Sequence, residues 1–249
     1  MIANTKALAV EAMLALPQPL ATPRTTGFNV VPLTQGKIRI RGYEPGDRKA
    51  IRNLCCETGY FGNPVDTLFQ DRELFADLFT NAYLDYQPEW GLVAEANDRV
   101  IGYLLGSVAT NFDLLQLRSG FQTTVKMLLR LATGKYATHP RSRRFIRWLL
   151  FSGYREQPKH PRNAAHLHFD LDQSFRGRGI GKRLWDEYER RLKGVGVKHC
   201  YGAFFSHPAR RPEVAYARYG FAVYDRRQTT MFQPEVMDPV EVVCVSKQF

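Results

Sequence analysis

Alternation of apolar and polar residues defines the strands of this chain. Between Lys37 and Tyr43, Ile38 and Ile40 share one face, as expected because the side chains of a strand alternate with period two. Residues 90–96 and 99–110 predict a hairpin closed by an Asn-Asp turn. The same signal predicts further strands at 165–171, 200–205, 228–232 and 240–246.

Helical spacing predicts the elements between the strands. In the clearest case, apolar residues recur every four positions at Ile180, Leu184, Tyr188 and Leu192, which gives that helix one core face. Asp47 follows a turn and is placed to cap a helix that runs to about residue 57. Other helices are predicted at about 65–82, 121–132, 143–151 and 213–219.

The order of these elements predicts an α/β fold. Strands and helices alternate in a way that suits one domain, residues 37–249, with a mixed central sheet flanked by helices. A long segment, residues 111–163, separates the third strand from the fourth and is predicted to be a helical insertion. Residues 1–36 contain Glu11 within an apolar stretch, followed by Pro17, Pro19 and Pro23, which predicts a flexible extension rather than a secretion signal.

Composition narrows the class of protein. Of the 249 residues, 44% are apolar and 24% charged, which is ordinary for a globular protein. No uncharged apolar run approaches the roughly 18 residues of a membrane span. The four cysteines show neither a CxxC motif nor a Cys/His spacing typical of zinc. We therefore predict reduced thiols, no metal site and a cytoplasmic protein.

Positive charge is concentrated in the insertion. The net charge of the chain is +11, and residues 118–162 contain eleven lysines and arginines but only one acid, Glu156. Phe121, Val125 and Leu128, together with Leu129 and Ala132, form one apolar helical face that excludes Lys126 and Arg130. A basic amphipathic segment suits an anionic partner: a carrier protein, a membrane surface or a nucleotide-linked sugar, with nucleic acid a weaker fit. A plain helical cover over a cleft is the alternative.

A glycine-rich turn supplies the candidate chemistry. Arg176-Gly-Arg-Gly-Ile-Gly181 lies between a predicted strand and a predicted helix. Glycines allow positive φ and a close approach of the backbone to a ligand, and a helix N-terminus attracts anions. The turn is therefore a candidate phosphate cradle, although a turn of this kind is by itself weak evidence.

The stretch from Leu171 to Leu184 resembles the signature of the GNAT superfamily of N-acetyltransferases, Q/R-x-x-G-x-G/A at a strand–turn–helix. Arg176, Gly179 and Gly181 occupy its three fixed positions, and the element order is similar over residues 37–249 apart from the insertion. The resemblance implies acetyl-CoA as cosubstrate. It implies that pantetheine pairs with the backbone of Phe169 to Leu171. The pyrophosphate would be held by Arg176, Gly177, Arg178, Gly179, Ile180 and Gly181.

A second similarity lies near the end of the chain. Val214-Ala-Tyr-Ala-Arg-Tyr-Gly-Phe221 is similar to the family segment A-x-x-x-Y-x-x-x-G-F, with Tyr216 on the tyrosine that commonly protonates the departing thiolate. A packing role for Tyr216 is the alternative, and Tyr219 is its neighbour. The implied reaction is direct transfer in a ternary complex, with the backbone N–H near Leu171 stabilising the oxyanion.

The candidates for the general base lie on the predicted strand before the glycine-rich turn. His166, His168 and Asp170 share one face because strand side chains alternate. We assign His168 and Asp170 as catalytic candidates and His166 to the acceptor pocket; purely structural histidines are the alternative. The Ala165–Asp170 run also resembles the acetyltransferase-like domains attached to some O-GlcNAc hydrolases, some of which lack activity.

Three functions remain open on the sequence. The first is an N-acetyltransferase that acts on the primary amine of a small molecule, such as an amino sugar. The second is a catalytically silent protein of this fold that binds coenzyme A or a partner, and the third is a module that binds nucleic acid or a membrane surface through the insertion. Oligomerisation is compatible with each.

Overall fold

Seven strands within residues 37–249 form one mixed sheet in the order β1-β2-β3-β4-β5-β7-β6. The computed structural model describes these residues, and the predicted flexible extension, residues 1–36, lies outside them. Only β4 and β5 are parallel, and all other neighbours are antiparallel. The strands are β1 Arg39–Gly42, β2 Leu92–Ala96, β3 Arg99–Ser107, β4 Ala165–Leu171, β5 His199–Ser206, β6 Ala222–Thr229 and β7 Val240–Gln248.

Helices cover both faces of this sheet. Ile180, Leu184, Tyr188 and Leu192 are all buried in the core on one face, which confirms the predicted core side of their helix. A second core lies on the opposite face, where the first two helices and part of the insertion pack. The helices are α1 Arg48–Thr58, α2 Arg72–Tyr86, α3 Phe112–Ala132, α4 Pro140–Phe151, α5 Ile180–Gly194 and α6 Pro212–Arg218. The predicted mixed α/β sheet with flanking helices is thus confirmed.

Several predicted element boundaries are wrong, and among them the helix expected at 121–132 begins at Phe112. The strand expected at 228–232 is β6, which ends at Thr229; it is an exposed edge strand rich in polar residues, so its alternation is weak. The helix expected at 65–82 is divided into a 3-10 turn at Val65–Thr67 and α2, which begins after the cap Asp71. Asp71 accepts a hydrogen bond from Leu74 N–H, and this cap sets the true start of the helix.

Asp47 does not cap α1 as predicted. Its side chain makes no capping hydrogen bond to that helix and instead accepts two hydrogen bonds from the guanidinium of Arg41, at 2.7 and 2.8 Å. This buried ion pair, extended by Glu95 at 2.7 Å from Arg41, ties the first helix to β1 and β2. The bidentate charged contact outweighs a single cap bond.

The functional end of the sheet is created where β4 and β5 diverge. They pair from Ala165↔Cys200 to Leu167↔Gly202, and within residues 37–249 no pairing joins them beyond that point. The β4 strand remains paired with β3 as far as Leu171. A wedge-shaped opening therefore separates the C-terminal halves of β4 and β5.

Candidate active site

Backbone groups of β4 line the opening. Asp172 N–H donates to Ile101 O at 2.9 Å, on the β3 side. Because successive residues of a strand direct their backbone groups to opposite sides, those of Phe169 and Leu171 point towards β5, where no strand pairs with them in residues 37–249. Both predicted pantetheine-binding residues therefore lie at a strand edge that no other described strand covers, the arrangement that an extended ligand needs, although Leu171 O accepts a hydrogen bond from Arg176 Nε at 3.3 Å.

The glycine-rich turn lies at the end of this edge. Gly177 and Gly179 both have φ of +75°, and a Cβ on either would meet no atom within 4 Å. The first bond of α5 runs from Arg183 N–H to Gly179 O at 3.1 Å, so the N–H groups at the start of the helix are free for an anion. The turn fits a pyrophosphate, with open space where side chains would otherwise stand.

The other residues of the turn differ in what they offer. Ile180 is buried in the core, so only its backbone is available to a ligand. Gly181 allows close packing, since a Cβ there would lie 2.8 Å from the hydroxyl of Tyr219 and 2.9 Å from the ring of Phe169. Arg178 is exposed and its guanidinium lies 5.3 Å from the centre of the Phe175 ring.

The structure brings His168 and Asp170 together around the hydroxyl of Tyr103. That hydroxyl donates to Asp170 Oδ2 at 2.6 Å and lies 3.0 Å from His168 Nε2. A phenol has one proton, so once it is donated to Asp170 the oxygen accepts from His168 Nε2–H. The Nδ1 atom of His168 is then the unprotonated nitrogen. Burial lowers the pKa of His168, against the opposing charge of Asp170, which keeps the ring neutral near pH 7.

Cys55 lies beneath these groups. Its Sγ, a ring nitrogen of His168 and a carboxylate oxygen of Asp170 lie within 4.8 Å of one another. Burial raises the pKa of Cys55 far above its ordinary value, so a neutral thiol is stable there. With Tyr103 already bonded to His168 and Asp170, the cluster is satisfied as a hydrogen-bonded group. All four cysteines are free and buried.

His166 lies in an aromatic enclosure on the same face. Its Nδ1 lies 2.5 Å from the hydroxyl of Tyr83, and the two rings are nearly parallel, at 14°. Tyr201 and Phe112 lie 4.5 and 5.5 Å away between ring centres. Burial lowers the pKa of His166 to about 3. His166 is thus a neutral wall residue near pH 7, as suits the predicted pocket role, and Phe112 brings the start of the insertion to this pocket.

Because His166 and His168 are buried, we expect the free energy of unfolding to depend on pH. In the unfolded chain both titrate near 6.5, whereas burial lowers both pKa values in the folded protein. Below pH 6.5 the unfolded state therefore binds more protons, so stability rises with pH in this window and is lost on acidification. We expect the free energy of unfolding to fall between pH 6.5 and about 5, by roughly 1.5–2 kcal/mol from His166, whose pKa is about 3, with a further loss from His168 in the same direction; urea denaturation measures it.

A variant isolates the contribution of one histidine. His166→Gln is expected to reduce this pH dependence, whereas His139→Gln, in the loop before α4, leaves it unchanged. An equal pH dependence in the wild type and in His166→Gln contradicts the prediction. The measurements stay above about pH 4.5. Below it, protonation of carboxylates with lowered pKa values, such as those of Glu187 and Asp71, also decreases the free energy of unfolding.

Tyr216 and Tyr219 differ in their surroundings. Tyr216, on α6, is buried against Phe204, with ring centres 4.9 Å apart and planes at 19°. Burial raises its pKa, and the negative charge of Asp170 raises it further. Tyr219 directly follows α6, and its hydroxyl lies against Gly181, beside the ring of Phe169.

The insertion carries its apolar face outward. Phe121 and Leu129 are 69% and 64% exposed, whereas the buried positions of α3 include Ser119, Thr123 and Met127. The reason is an ionic attachment to α2: Arg130 bonds Asp71 at 2.7 Å, and further bridges join Lys126 to Asp77 and Lys135 to Asp71. Part of the basic charge therefore holds the insertion in place.

Among the residues around β4 that escaped sequence reasoning are Cys55, Tyr83 and Tyr103, and so is Arg210, whose position is described below. Tyr103 meets Asp170 because β3 and β4 pair in the register Tyr103↔Asp170, and register is not written in either strand alone. Tyr83 and Cys55 reach β4 only through helix packing. Arg210 follows β5 in a turn closed by bonds between His207 and Arg210, with no sequence signal beyond its charge.

Comparison with known proteins agrees with this geometry. The Acetyltransferase (GNAT) family description matches residues 57–221, a range that includes the glycine-rich turn and Tyr216. Among solved structures, SsHAT is 24% identical over 85% of this chain and 98% of its own, with a TM-score of 0.53. PH1933 from Pyrococcus horikoshii OT3 is 15% identical over 86% and 99%, with a TM-score of 0.51. An N-acetyltransferase from Staphylococcus aureus Mu50 is 12% identical over 85% and 98%, with a TM-score of 0.50. At these identities the structural likeness concerns the fold.

Proposed function

Because this chain belongs to the acetyltransferase (GNAT) family, we propose that it transfers the acetyl group of acetyl-CoA to the primary amine of a small molecule, such as an amino sugar. The observation that carries the proposal is the positive-φ turn at Gly177 and Gly179, set at the open edge of β4. A free strand edge leading to a helix N-terminus suits a ligand with an amide-bearing arm and a pyrophosphate.

The β4 cluster supplies the proton acceptor. Bound acetyl-CoA contributes an activated thioester. The amine must lose a proton before it attacks the carbonyl carbon, and Nδ1 of His168 takes that proton, directly or through water. Asp170 stabilises the resulting imidazolium through Tyr103, whose hydroxyl bonds both groups. His166, with its pKa near 3, shapes the acceptor pocket and takes no proton near neutral pH.

The backbone N–H of Leu171 and the hydroxyl of Tyr216 act on the thioester as its C–S bond breaks. As the new C–N bond forms and the C–S bond breaks, the N–H of Leu171 stabilises the negative charge on the carbonyl oxygen. Tyr216 gives its proton to the sulfur. Tyr216 is protonated near neutral pH, as a general acid requires, and its raised pKa makes it a weaker proton donor than an ordinary tyrosine. Reprotonation from solvent restores Tyr216 after release of the products.

Turnover distinguishes this function from the silent alternative. With wild-type protein and acetyl-CoA, thiol release is expected only when an amine acceptor is added. Calorimetric binding of acetyl-CoA without thiol release across a broad amine panel supports the silent, coenzyme-binding alternative instead. Accumulation of acetylated protein without acceptor contradicts direct transfer.

We place the reaction in the cytoplasm, where all four cysteines stay reduced.

The insertion is best suited, among the predicted anionic partners, to a membrane surface. No helix in residues 37–249 has the length and apolar character of a membrane span. The outward stripe of α3 includes Leu117 and Phe121, each more than two-thirds exposed. Arg143 and Arg147 on α4 are exposed. Contact with a second copy would bring two basic insertions together, whereas anionic lipid complements the charge and accepts the apolar side chains.

Vesicle binding tests this partner. Flotation with vesicles containing phosphatidylserine is expected to recover the wild type, and an Arg143→Gln, Arg147→Gln variant is expected to bind about 30-fold more weakly, at about 1 kcal/mol for each of the two charges. Lys198→Gln, which removes an exposed charge before β5, is the matched control. Equal binding of the wild type to neutral and to phosphatidylserine-containing vesicles contradicts the lipid partner. So does a Phe121→Ser variant that binds the vesicles normally and changes only the oligomeric state.

A further inference from the structure

Two arginines from separate parts of the chain converge over Gly62. A Cβ at Gly62 would lie 2.7 Å from Nη1 of Arg176 and 3.0 Å from Cζ of Arg210. Gly62 has φ of +86° and is buried. Both guanidinium groups therefore occupy the space that a side chain would fill, and they lie within about 6 Å of each other because both approach the same point.

The pair is not neutralised by the protein. Within residues 37–249, neither guanidinium has a carboxylate within salt-bridge distance. Asp170, whose charge acts on Arg210, is bonded to Tyr103. Burial lowers the pKa of Arg210, as does the positive charge of Arg176. Two like charges held together in a half-buried position are costly unless an anion lies between them.

The location links the pair to the reaction. Arg176 Nε donates to Leu171 O at 3.3 Å, so this guanidinium turns back from the glycine-rich turn towards the open edge of β4. The charge of Asp170 acts on Arg210 as well, which places Arg210 near the predicted base. Gly62 follows α1, whose residue Cys55 packs under that same cluster. The pair therefore borders the side on which the amine is expected.

We propose that Arg176 and Arg210 form a subsite for an anionic group of the acceptor, so that the substrate is an amine that also carries a carboxylate or a phosphate. The ammonium end then lies towards Asp170 and His168, and the anion accepts hydrogen bonds from the two guanidinium groups. This inference rests on the proposed acetyl transfer. It concerns the acceptor, whereas the pyrophosphate of the cosubstrate is assigned to the turn itself.

Paired acceptors test the subsite through Arg210, which takes no part in the cosubstrate cradle. Thiol release is measured with glucosamine 6-phosphate against glucosamine, and with amino acids against their amides. The wild type is expected to prefer the anionic member of a pair by about 10- to 100-fold in kcat/KM, the range for charged hydrogen bonds. Arg210→Gln is expected to lose this preference while its Kd for acetyl-CoA stays unchanged. Arg211→Gln is the control, since Arg211 is exposed and bonded to Glu213.

A second readout does not need turnover. Inorganic phosphate titrated into protein saturated with coenzyme A is expected to raise the Tm of the wild type and of Arg211→Gln but not that of Arg210→Gln. If no amine is acetylated yet this difference is seen, the acetyl transfer fails and the anion subsite stands. A wild type without preference for anionic acceptors overturns the inference. An Arg210→Gln variant whose affinity for acetyl-CoA falls as much as its preference for anionic acceptors also overturns the inference, because the pair would then serve the cosubstrate.

Discussion

Replacing Gly179 with glutamate is expected to abolish measurable binding of acetyl-CoA. Gly179 directly precedes α5 with φ of +75°, and a side chain there would project into open space, where the pyrophosphate is expected. The added carboxylate repels that anion and removes the benefit of the helix N-terminus. We expect the Kd measured by calorimetry to rise at least 100-fold, or about 2.7 kcal/mol.

Gly196 provides a matched control for this variant. It lies beyond the other end of α5, about 20 Å along the helix, and it too has positive φ, +76°, with open space around a built Cβ. Gly196→Glu therefore introduces the same charge and the same backbone strain, about 1–2 kcal/mol, without approaching the turn. A similar drop in Tm for both variants, with binding lost only in Gly179→Glu, supports the cradle. Full binding by Gly179→Glu contradicts it.

Tyr216→Phe is expected to lower kcat by about 100- to 1000-fold, within the usual range for a general acid. The substitution removes one oxygen but keeps the ring that stacks on Phe204 and meets Phe221 edge-on at 5.4 Å, so the fold is retained. The departing thiolate then leaves without a proton donor. Acetyl-CoA affinity is expected to change little, because the hydroxyl acts on the sulfur as the bond breaks. Steady-state thiol release measures kcat, and calorimetry measures the affinity.

Tyr219→Phe tests whether the effect belongs to Tyr216. Tyr219 lies three positions after Tyr216, directly beyond the end of α6, and its hydroxyl lies against Gly181. Its loss is expected to cost less than about tenfold in kcat, since it removes no proton donor from the reaction. A large loss in Tyr219→Phe with normal turnover by Tyr216→Phe would reverse the two assignments. Retained kcat in both variants would show that solvent protonates the thiolate.

Local patterns were sufficient where a short stretch of chain determines its own geometry. The strand–turn–helix around Gly177 and Gly179 was predicted because glycine alone accepts positive φ readily, and both glycines have it. The core face of α5 was predicted because its period follows from helix geometry. The shared face of His166, His168 and Asp170 was predicted for the same reason in a strand.

Local patterns failed where a competing partner lay far away in sequence. Asp47 has the residue type and the position expected of a helix cap, yet its carboxylate accepts hydrogen bonds from Arg41 instead. The apolar stripe of α3 has the spacing of a core face, yet it lies outward, because Arg130 binds Asp71 on the opposite side of the helix. In both cases an ion pair formed across the fold outweighs the local preference.

The sequence by itself determined the order of the elements, the glycine-rich turn and the residue types on β4, since each depends on neighbours within a few positions. Only the tertiary structure decided how these parts meet. The β3–β4 register gives Asp170 and His168 the hydroxyl of Tyr103, and chain folding brings Arg210 to Arg176 over Gly62. Contacts between residues distant in the chain arise from packing and strand pairing, and no single segment encodes them.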